Sequence, residues 1–389
     1  MSFRKPLLVS LLVAGLFTAA GCGGGTAPSS AGGGTEPAGE VKEYNITLIR
    51  WDANDDFFNG VQAGEEEEYQ RLEKELGVKF NVTVAAAVND EAQQVNALQA
   101  AISKGTDGVS LVSWRGAAMT NLVKQLGDEG IPIVTHNSFV PGIDQTFVSF
   151  DGVTAGEKAA QAVVDTLDKN RGEAWRQGDG VIVELRCLIT LSTDVDRHNG
   201  MHKVIDPIMA ANDKIAYVEQ EAECDGEKGR KIVDDAITKY GAEKLLMVLA
   251  IDGTAAIGGA IPALKAAEIL YPNTDPKYVP VASVDCSKAE LDSIAAGEET
   301  ECSEQPAKAE GIVTSYLLAD MIINGTTTPT KTPEQVQEAM KAAYGDQPWM
   351  PITKVPADVQ PTFQGTWYGI NAFAVPSDVG VDDPGHWAK

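Results

Sequence analysis

Residues 91–137 read EAQQVNALQAAISKGTDGVSLVSWRGAAMTNLVKQLGDEGIPIVTHN. Glu91–Lys104 is an amphipathic stretch of helical length, and Gly116–Glu129 is another. Between and after them, Gly108–Trp114 and Ile131–Asn137 are short apolar runs rich in β-branched residues. Such runs are too apolar for strands with one wet face and suit a sheet covered on both sides. Alternating helix and strand predicts parallel pairing with right-handed crossovers.

The pattern extends in both directions. Upstream, Tyr44–Arg50 and Phe80–Ala87 read as strands around a helix over Gly60–Leu76, and Thr146–Asp151 reads as a strand downstream. The alternation then starts afresh. Gly180–Cys187, Lys214–Cys224, Leu245–Asp252 and Pro280–Cys286 are strand-like, with helical stretches at Asn199–Asn212, Gly226–Tyr240, Thr254–Glu268 and Lys288–Ala296. The fold class is therefore α/β, with two doubly wound parallel-sheet lobes. Only the pattern repeats, not the sequence. A long helix, Ala307–Asn324, follows Pro306, and a Pro-bearing tail carries Trp349, Trp367 and Trp387. The acidic run Glu65–Glu68 reads as a solvated helix face near a helix N-terminus, where the dipole favours it.

With 389 residues the chain has room for two domains. Its formal charge of −25 argues against nucleic acid, because phosphate binding needs a dense Lys/Arg footprint. The same charge argues against electrostatic docking on an anionic membrane face. There are 4 His, and no His/Cys cluster at zinc spacing stands out, so neither a metal nor a cofactor is expected. No second long apolar run follows the N-terminus, which excludes a multi-span membrane protein.

The N-terminus reads as an address. Arg4 and Lys5 precede an apolar stretch, Leu7–Ala20, of signal-peptide length. It ends in Ala19-Ala20-Gly21-Cys22, which resembles a bacterial lipobox and implies lipidation of Cys22; the bland alternative is an ordinary secretory signal with a chance Cys. Residues 23–39 are rich in Gly, Ser, Thr and Pro and read as a flexible tether. Loss of residues 1–21 takes the charge from −25 to −27. The expected organisation is a signal peptide (1–21), a tether (22–40), a first lobe (41–150 plus about 305–345), and a second lobe with tail (151–304 plus part of 346–389). The remaining cysteines are Cys187, Cys224, Cys286 and Cys302. An even number in an exported protein suggests two disulfides, of three possible connectivities. Cys187–Cys224 and Cys286–Cys302 are favoured because each pair lies at the ends of successive strands; free buried thiols are the alternative.

In open α/β sheets, ligands sit outside the carboxyl ends of strands. The strand-end residues here are Trp51 to Phe58, Trp114-Arg115, His136-Asn137-Ser138, Asp151-Gly152, Arg186-Cys187, Asp252-Gly253, Asp285-Cys286 and Glu304-Gln305. Carboxylates with aromatic rings among them suit a monosaccharide, whose hydroxyls need charged partners and whose C–H face packs on a ring. Any single one of these acids could instead cap the next helix. His136 reads more readily as a satisfied structural residue than as a cleft contact.

Across residues 44–325 the arrangement resembles the ribose/galactose/xylose-type periplasmic binding proteins, the sugar-binding components of ABC importers. Asn54-Asp55-Asp56-Phe57-Phe58 resembles that family's Asn-rich, Phe-Phe segment, and Ile102–Val109 its I-x-x-G-x-D-G-V signature. Gly130–Thr135 resembles its G-I-P-V-V strand, Ser149-Phe150-Asp151 its first interlobe crossing, and Arg197–Gly200 its R-x-x-G helix opening. Val284-Asp285 falls on a strand-end Asp, and Glu304-Gln305-Pro306 on the Q-x-P crossing. The resemblance implies a two-lobed fold joined by a multi-strand hinge, and no catalysis. It implies ligand contacts from Asp55, Phe57, Phe58, Trp114, Asn137, Asp151, Asp194, Arg197, Asp252, Asp285 and Glu304. It also departs from the family. The first-lobe Asp-Arg clamp falls on Asn137-Ser138, a second-lobe Arg falls near Val195, an Asn falls on Asp252, and the crossing Gln falls on Glu304, with Gln305 as a register alternative. Arg115, Arg186 or Arg197 could replace the clamp. The pocket is thus expected to be acidic, which carries over sugar class rather than sugar identity.

The implied protein is a monomer, lipid-anchored outside the cytoplasmic membrane, that presents a captured sugar to permease subunits. A sensory binding protein of the same fold is the alternative. An exported carbohydrate-active enzyme with a carboxylate pair as acid and base is a third reading; separately, no G-x-S-x-G elbow, P-loop or dinucleotide fingerprint is present.

Overall fold

Apolar β-branched strands pair in parallel to build two sheets. A computed structural model describes residues 41–389 except 53, 88–89, 357–358, 372–374, 384–385 and 389. The signal peptide, Cys22 and the tether lie outside the described residues. The first sheet contains β1 (Glu43–Arg50), β2 (Lys79–Ala86), β3 (Gly108–Leu111), β4 (Ile133–His136) and β5 (Asp144–Phe150). The second contains β6 (Gly180–Arg186), β7 (Ile215–Glu221), β8 (Leu245–Ala250), β9 (Val281–Asp285) and β10 (Glu301–Glu304). Two late strands, β11 (Thr353–Lys354) and β12 (Gln364–Ile370), join the first sheet. The strand orders are β2-β1-β3-β4-β5-β12-β11 and β7-β6-β8-β9-β10. All pairs are parallel except β11 with β12.

The connecting helices are α1 (Asp56–Leu76), α2 (Glu91–Lys104), α3 (Thr120–Asp128), α4 (Gly152–Arg171), α5 (Ser192–Ala211) and α6 (Gly226–Tyr240). They continue with α7 (Gly253–Ala255), α8 (Ile261–Ala266), α9 (Lys288–Ala295), α10 (Ala307–Asn324), α11 (Pro333–Tyr344) and α12 (Pro376–Val379). A π-helical turn, Ala256–Ala260, links α7 to α8. Helix α1 starts four residues before the apolar periodicity suggests, because the Asp55 carboxylate accepts the Phe57 N–H at 2.7 Å. Helix α5 starts at Ser192 rather than near Asn199, which brings Asp194 and Arg197 onto its opening turns.

The chain crosses between lobes after β5, after β10, and a third time between Ile370 and Pro376, a stretch partly outside the described residues. The first lobe extends further than the sequence division allowed. Strand β12 pairs with β5 over Gln364–Ile370, and Trp367 packs on Phe147 at 5.0 Å between ring centroids. It covers what would otherwise be an open, apolar sheet edge. The tail meets the second lobe at Ser377, whose N–H donates to Glu301 at 3.0 Å, and touches both lobes at Trp387, whose indole N–H donates to the Asp285 carbonyl at 2.7 Å while its ring packs on Phe57 at 6.1 Å between centroids.

Glycine pairs fasten the helices that follow the first two crossings. Helices α4 and α5 meet at Gly156 and Gly200, where a Cβ on Gly200 would lie 2.0 Å from the Val153 carbonyl oxygen. Helices α1 and α10 meet at Gly64 and Gly311, where a Cβ on Gly311 would lie 2.0 Å from the Val61 carbonyl oxygen. Each of these crossings brings two helix backbones together and carries a cleft-lining helix.

The reading of Glu65–Glu68 as a solvated face is half corrected. Glu66 and Glu67 are exposed, but Glu65 and Glu68 are buried. Glu65 accepts from the Ser110 hydroxyl at 2.6 Å, and Glu68 from the Tyr344 hydroxyl at 2.6 Å. Cys187 is bonded to Cys224 and Cys286 to Cys302, joining the segments that follow β6 and β7 and tying the residue after β9 to the start of β10. Among the described residues no helix is long and apolar enough to cross a membrane.

Candidate functional site

The carboxyl ends of both sheets open onto one interlobe cleft of about 450 Å³, open solvent at its mouth included. The first lobe contributes Trp51, Asp55, Phe57, Phe58 and Asn137, and the second contributes Asp194, Arg197, Asp252 and Asp285. Gln305 lines the cleft from the second crossing. Trp51 and Phe58 meet edge to face at 4.9 Å, forming an aromatic wall on the first-lobe side of the cleft.

Arg197 is the organising cation. One guanidinium nitrogen donates to the Ile251 carbonyl at 2.6 Å; the other lies 3.1 Å from Asp285 Oδ1 and donates to Gln305. The guanidinium stands 5.3 Å from the centre of the Phe150 ring. Asp285 also accepts the Gly253 N–H at 3.1 Å, and its φ of 147° is a conformation L-residues rarely adopt. Asn137, with φ of 58°, is held in the left-handed region at the end of β4. Non-glycine residues in such conformations cluster at ligand sites, where the surrounding fold holds the strain.

Asp252 does two things at once. Its Oδ1 caps α7 by accepting the Ala255 N–H at 2.9 Å, while its Oδ2 is buried with no hydrogen-bond partner. Burial pushes Asp252 and Asp55 up to about 7, and the nearby Asp285 charge adds to both. Asp285 itself is raised by burial, against the pull of Arg197. These buried carboxyls are acceptors waiting for donors.

The cleft and its two-sheet frame have known counterparts. A family model described as a periplasmic binding protein domain matches residues 46–327. The chain belongs to this family. The D-xylose-binding periplasmic protein of Escherichia coli is 28% identical to this binding protein over 277 residues, 68% of this chain and 74% of that one. Ribose import binding protein RbsB of Bacillus subtilis is 27% identical over 258 residues, 66% of this chain and 74% of that one. The Caulobacter myo-inositol binding protein superposes with a TM-score of 0.62 at 22% identity, covering 80% of this chain and 99% of that one. These relatives are binding proteins rather than enzymes, and the last comparison shows a shared fold.

The structure draws eight of the eleven expected contacts of this binding protein into the cleft: Asp55, Phe57, Phe58, Asn137, Asp194, Arg197, Asp252 and Asp285. It places three elsewhere. Trp114 is buried behind Trp51, 5.1 Å ring to ring. Asp151 is exposed and caps α4, accepting the Thr154 N–H at 2.9 Å. Glu304 faces the tail, accepting the Trp387 N–H at 2.7 Å, and its neighbour Gln305 takes the cleft position. Strand alternation explains this exchange, since adjacent side chains point oppositely. Asp194 reaches the cleft with its carboxylate already engaged by Arg186 and by the Cys187 N–H at 2.7 Å. Arg186 is itself tied to Asp194 and Glu219, and Arg115 is exposed, so of the three candidate clamps only Arg197 lines the cleft. His136 is buried against Glu310 at 3.0 Å. Sequence reading passed over Thr193 and Leu191, because the helix start was set too late; the polar run Ser192-Thr193-Asp194 is the signal that marks it. Cys187, Cys224 and Asp252 cluster here, but the two sulfurs are joined and offer no thiolate to a metal.

A pH dependence follows for the ligand-free protein. Asp55 and Asp252 rise from an ordinary 3.8 to about 7, so the folded state binds protons that the unfolded state releases. Their stabilising contribution is complete below 3.8 and is lost as the pH climbs through about 7. The melting temperature is expected to fall by several degrees between about pH 5 and about pH 8. Calorimetry across that range checks the sign; a rise would mean these carboxyls are ionised in the empty cleft.

Proposed function

We propose that this binding protein captures a monosaccharide or closely related polyol between its lobes and delivers it to the permease of an ABC importer. The observation that carries the reading is one cleft that gathers Asp55, Asp252 and Asp285 with Arg197, which stands 3.1 Å from Asp285, and with the aromatic rings of Trp51 and Phe58. A sugar supplies what that arrangement lacks: hydroxyl donors for the carboxyls and an apolar face for Trp51 and Phe58. The names of the relatives, which specify xylose, ribose and myo-inositol, agree with this chemistry. Because the contacts come from both lobes, binding favours closure about the crossings, which hides the ligand and presents a closed face to a membrane partner. In this reading the chain is a monomer held outside the cytoplasmic membrane by a lipid on Cys22, with the segment to residue 40 as its tether.

A thermal-shift screen of pentoses, hexoses, amino and deoxy sugars, polyols and furanone signals tests the proposal. A ligand at about a thousand times its Kd stabilises the folded state by roughly 4 kcal/mol, a shift of many degrees. One strong hit among sugars or polyols is expected. A hit confined to furanone signals supports the sensory role instead, and silence from folded, ligand-free protein rejects both.

A further inference from the structure

Helix α5 presents two faces with different chemistry. Asp194 and Arg197 reach the cleft, whereas His198 and His202, one turn apart, lie with ring centroids 3.9 Å apart. Both rings meet Glu184 of β6, a fully buried carboxylate. Glu184 Oε1 is 2.9 Å from His198 Nδ1, and Oε2 is 3.1 Å from His202 Nε2. One donor atom from each of the three lies within 4.8 Å of the others. We propose that Glu184, His198 and His202 form a binding site for one divalent transition-metal ion of the zinc class.

Four observations support this site. The donors are two imidazole nitrogens and a carboxylate oxygen, the set that borderline-soft divalent ions prefer. The nitrogen–oxygen separations approach the roughly 3.3 Å that tetrahedral bonds of about 2.0 Å impose, so small side-chain shifts suffice. Asp206 Oδ1 lies 2.6 Å from His202 Nδ1 and can hold the ring proton there, so that an ion displacing the Nε2 proton would meet a lone pair aimed at Glu184. Charge is also short by at least one cation. Arg186 stands 3.8 Å from Glu184 but is paired with Asp194 and Glu219, so one guanidinium faces three carboxylates, and Asp206 adds a fourth to the cluster through His202.

Access and outer support are present as well. The His198 and His202 side chains are 21% and 18% exposed, enough for an ion to enter and keep a water as fourth ligand. The Tyr217 hydroxyl sits 2.8 Å from His202 Nε2 and bonds Glu184, where its proton can remain on the carboxylate as an outer contact. The site lies outside the cleft and does not rest on the sugar-binding reading. The expectation that no His/Cys spacing suits a metal passed over the i, i+4 spacing of these histidines.

The test uses the untagged chain stripped with a chelator. Zinc chloride titrated at neutral pH is expected to bind at one ion per chain and to raise the melting temperature. Cobalt(II) is expected to give the visible bands of a four-coordinate nitrogen–oxygen site. His198→Gln and His202→Gln should each weaken zinc binding by ~10-fold or more, while His386→Gln leaves it unchanged. If either variant fails to fold, zinc protection of His198 and His202 from diethylpyrocarbonate, mapped by peptide mass spectrometry, decides the question in the wild-type chain. No saturable metal uptake, unprotected histidines, or uptake that survives both variants overturns the proposal and leaves a proton-bridged Glu184–histidine cluster.

Discussion

An Asp252→Asn chain is expected to bind its sugar roughly 10- to 100-fold more weakly than wild type, yet to melt at the same temperature or higher. The two effects separate because the two carboxylate oxygens have separate partners. Oδ1 caps α7 through the Ala255 N–H, and an Asn oxygen keeps that bond. Oδ2 is buried without a partner and becomes an amide nitrogen, which cannot accept from a sugar hydroxyl. Losing a charge-assisted bond in a desolvated cleft costs about 1.5–3 kcal/mol. In the empty protein the same change removes a buried charge that Asp285 and Asp55 oppose, so the stability gain should grow as the pH rises from 3.8 to about 7 and level off above that. Paired calorimetric titration and melting curves check both halves. Unchanged affinity would remove Asp252 from the binding surface, and a melting point several degrees lower would make it chiefly a structural cap. Binding residues commonly carry this kind of cost in the empty state.

The second large effect is structural. Gly200→Ala should destabilise the protein by about 3 kcal/mol and should weaken ligand binding as well. The added methyl would lie 2.0 Å from the Val153 carbonyl oxygen and 2.7 Å from the Glu157 nitrogen, and neither backbone atom can swing aside as a side-chain tip would. Helix α5 must then lift from α4. It carries Arg197 one turn away, whose guanidinium contacts Ile251, Asp285 and Gln305 all depend on that placement. Gly156→Ala, on the facing helix, should behave alike, since its methyl would lie 2.0 Å from the Arg197 carbonyl oxygen. Gly127→Ala, with no atom within 4 Å of the added carbon, is the control. Denaturant unfolding gives the stability difference. Equal stability of Gly200→Ala and Gly127→Ala would mean that the helix pair tolerates separation.

These two residues show how far the chain could be read. The R-x-x-G pattern over Arg197–Gly200 marked a helix opening by resemblance, and its physical content emerged only from the fold. The glycine is where two helix backbones touch, and the arginine is thereby aimed at Asp285 and Gln305. Asp252 was ambiguous between cap and contact, and the structure makes it both, because a carboxylate has two oxygens. The Glu304 and Gln305 pair could not be resolved by pattern, since a one-residue register shift on a strand reverses which side chain faces the cleft.

The sequence by itself determined what depends on local order along the chain. The alternation of apolar strands and amphipathic helices specified two parallel-sheet lobes, and the rule that ligands sit at strand ends drew the acids and aromatics of the cleft together. The charge excluded nucleic acid for the same kind of reason, since it is a property of composition. Tertiary structure alone decided what depends on distant segments meeting. It assigned β12 to the first sheet beside β5, buried Glu65 and Glu68 within an acidic run, and turned Glu304 toward Trp387. It also set Glu184 of β6 against His198 and His202 of α5. None of these has a local signal, because burial and pairing are properties of the partner that arrives, and its address is written elsewhere in the chain.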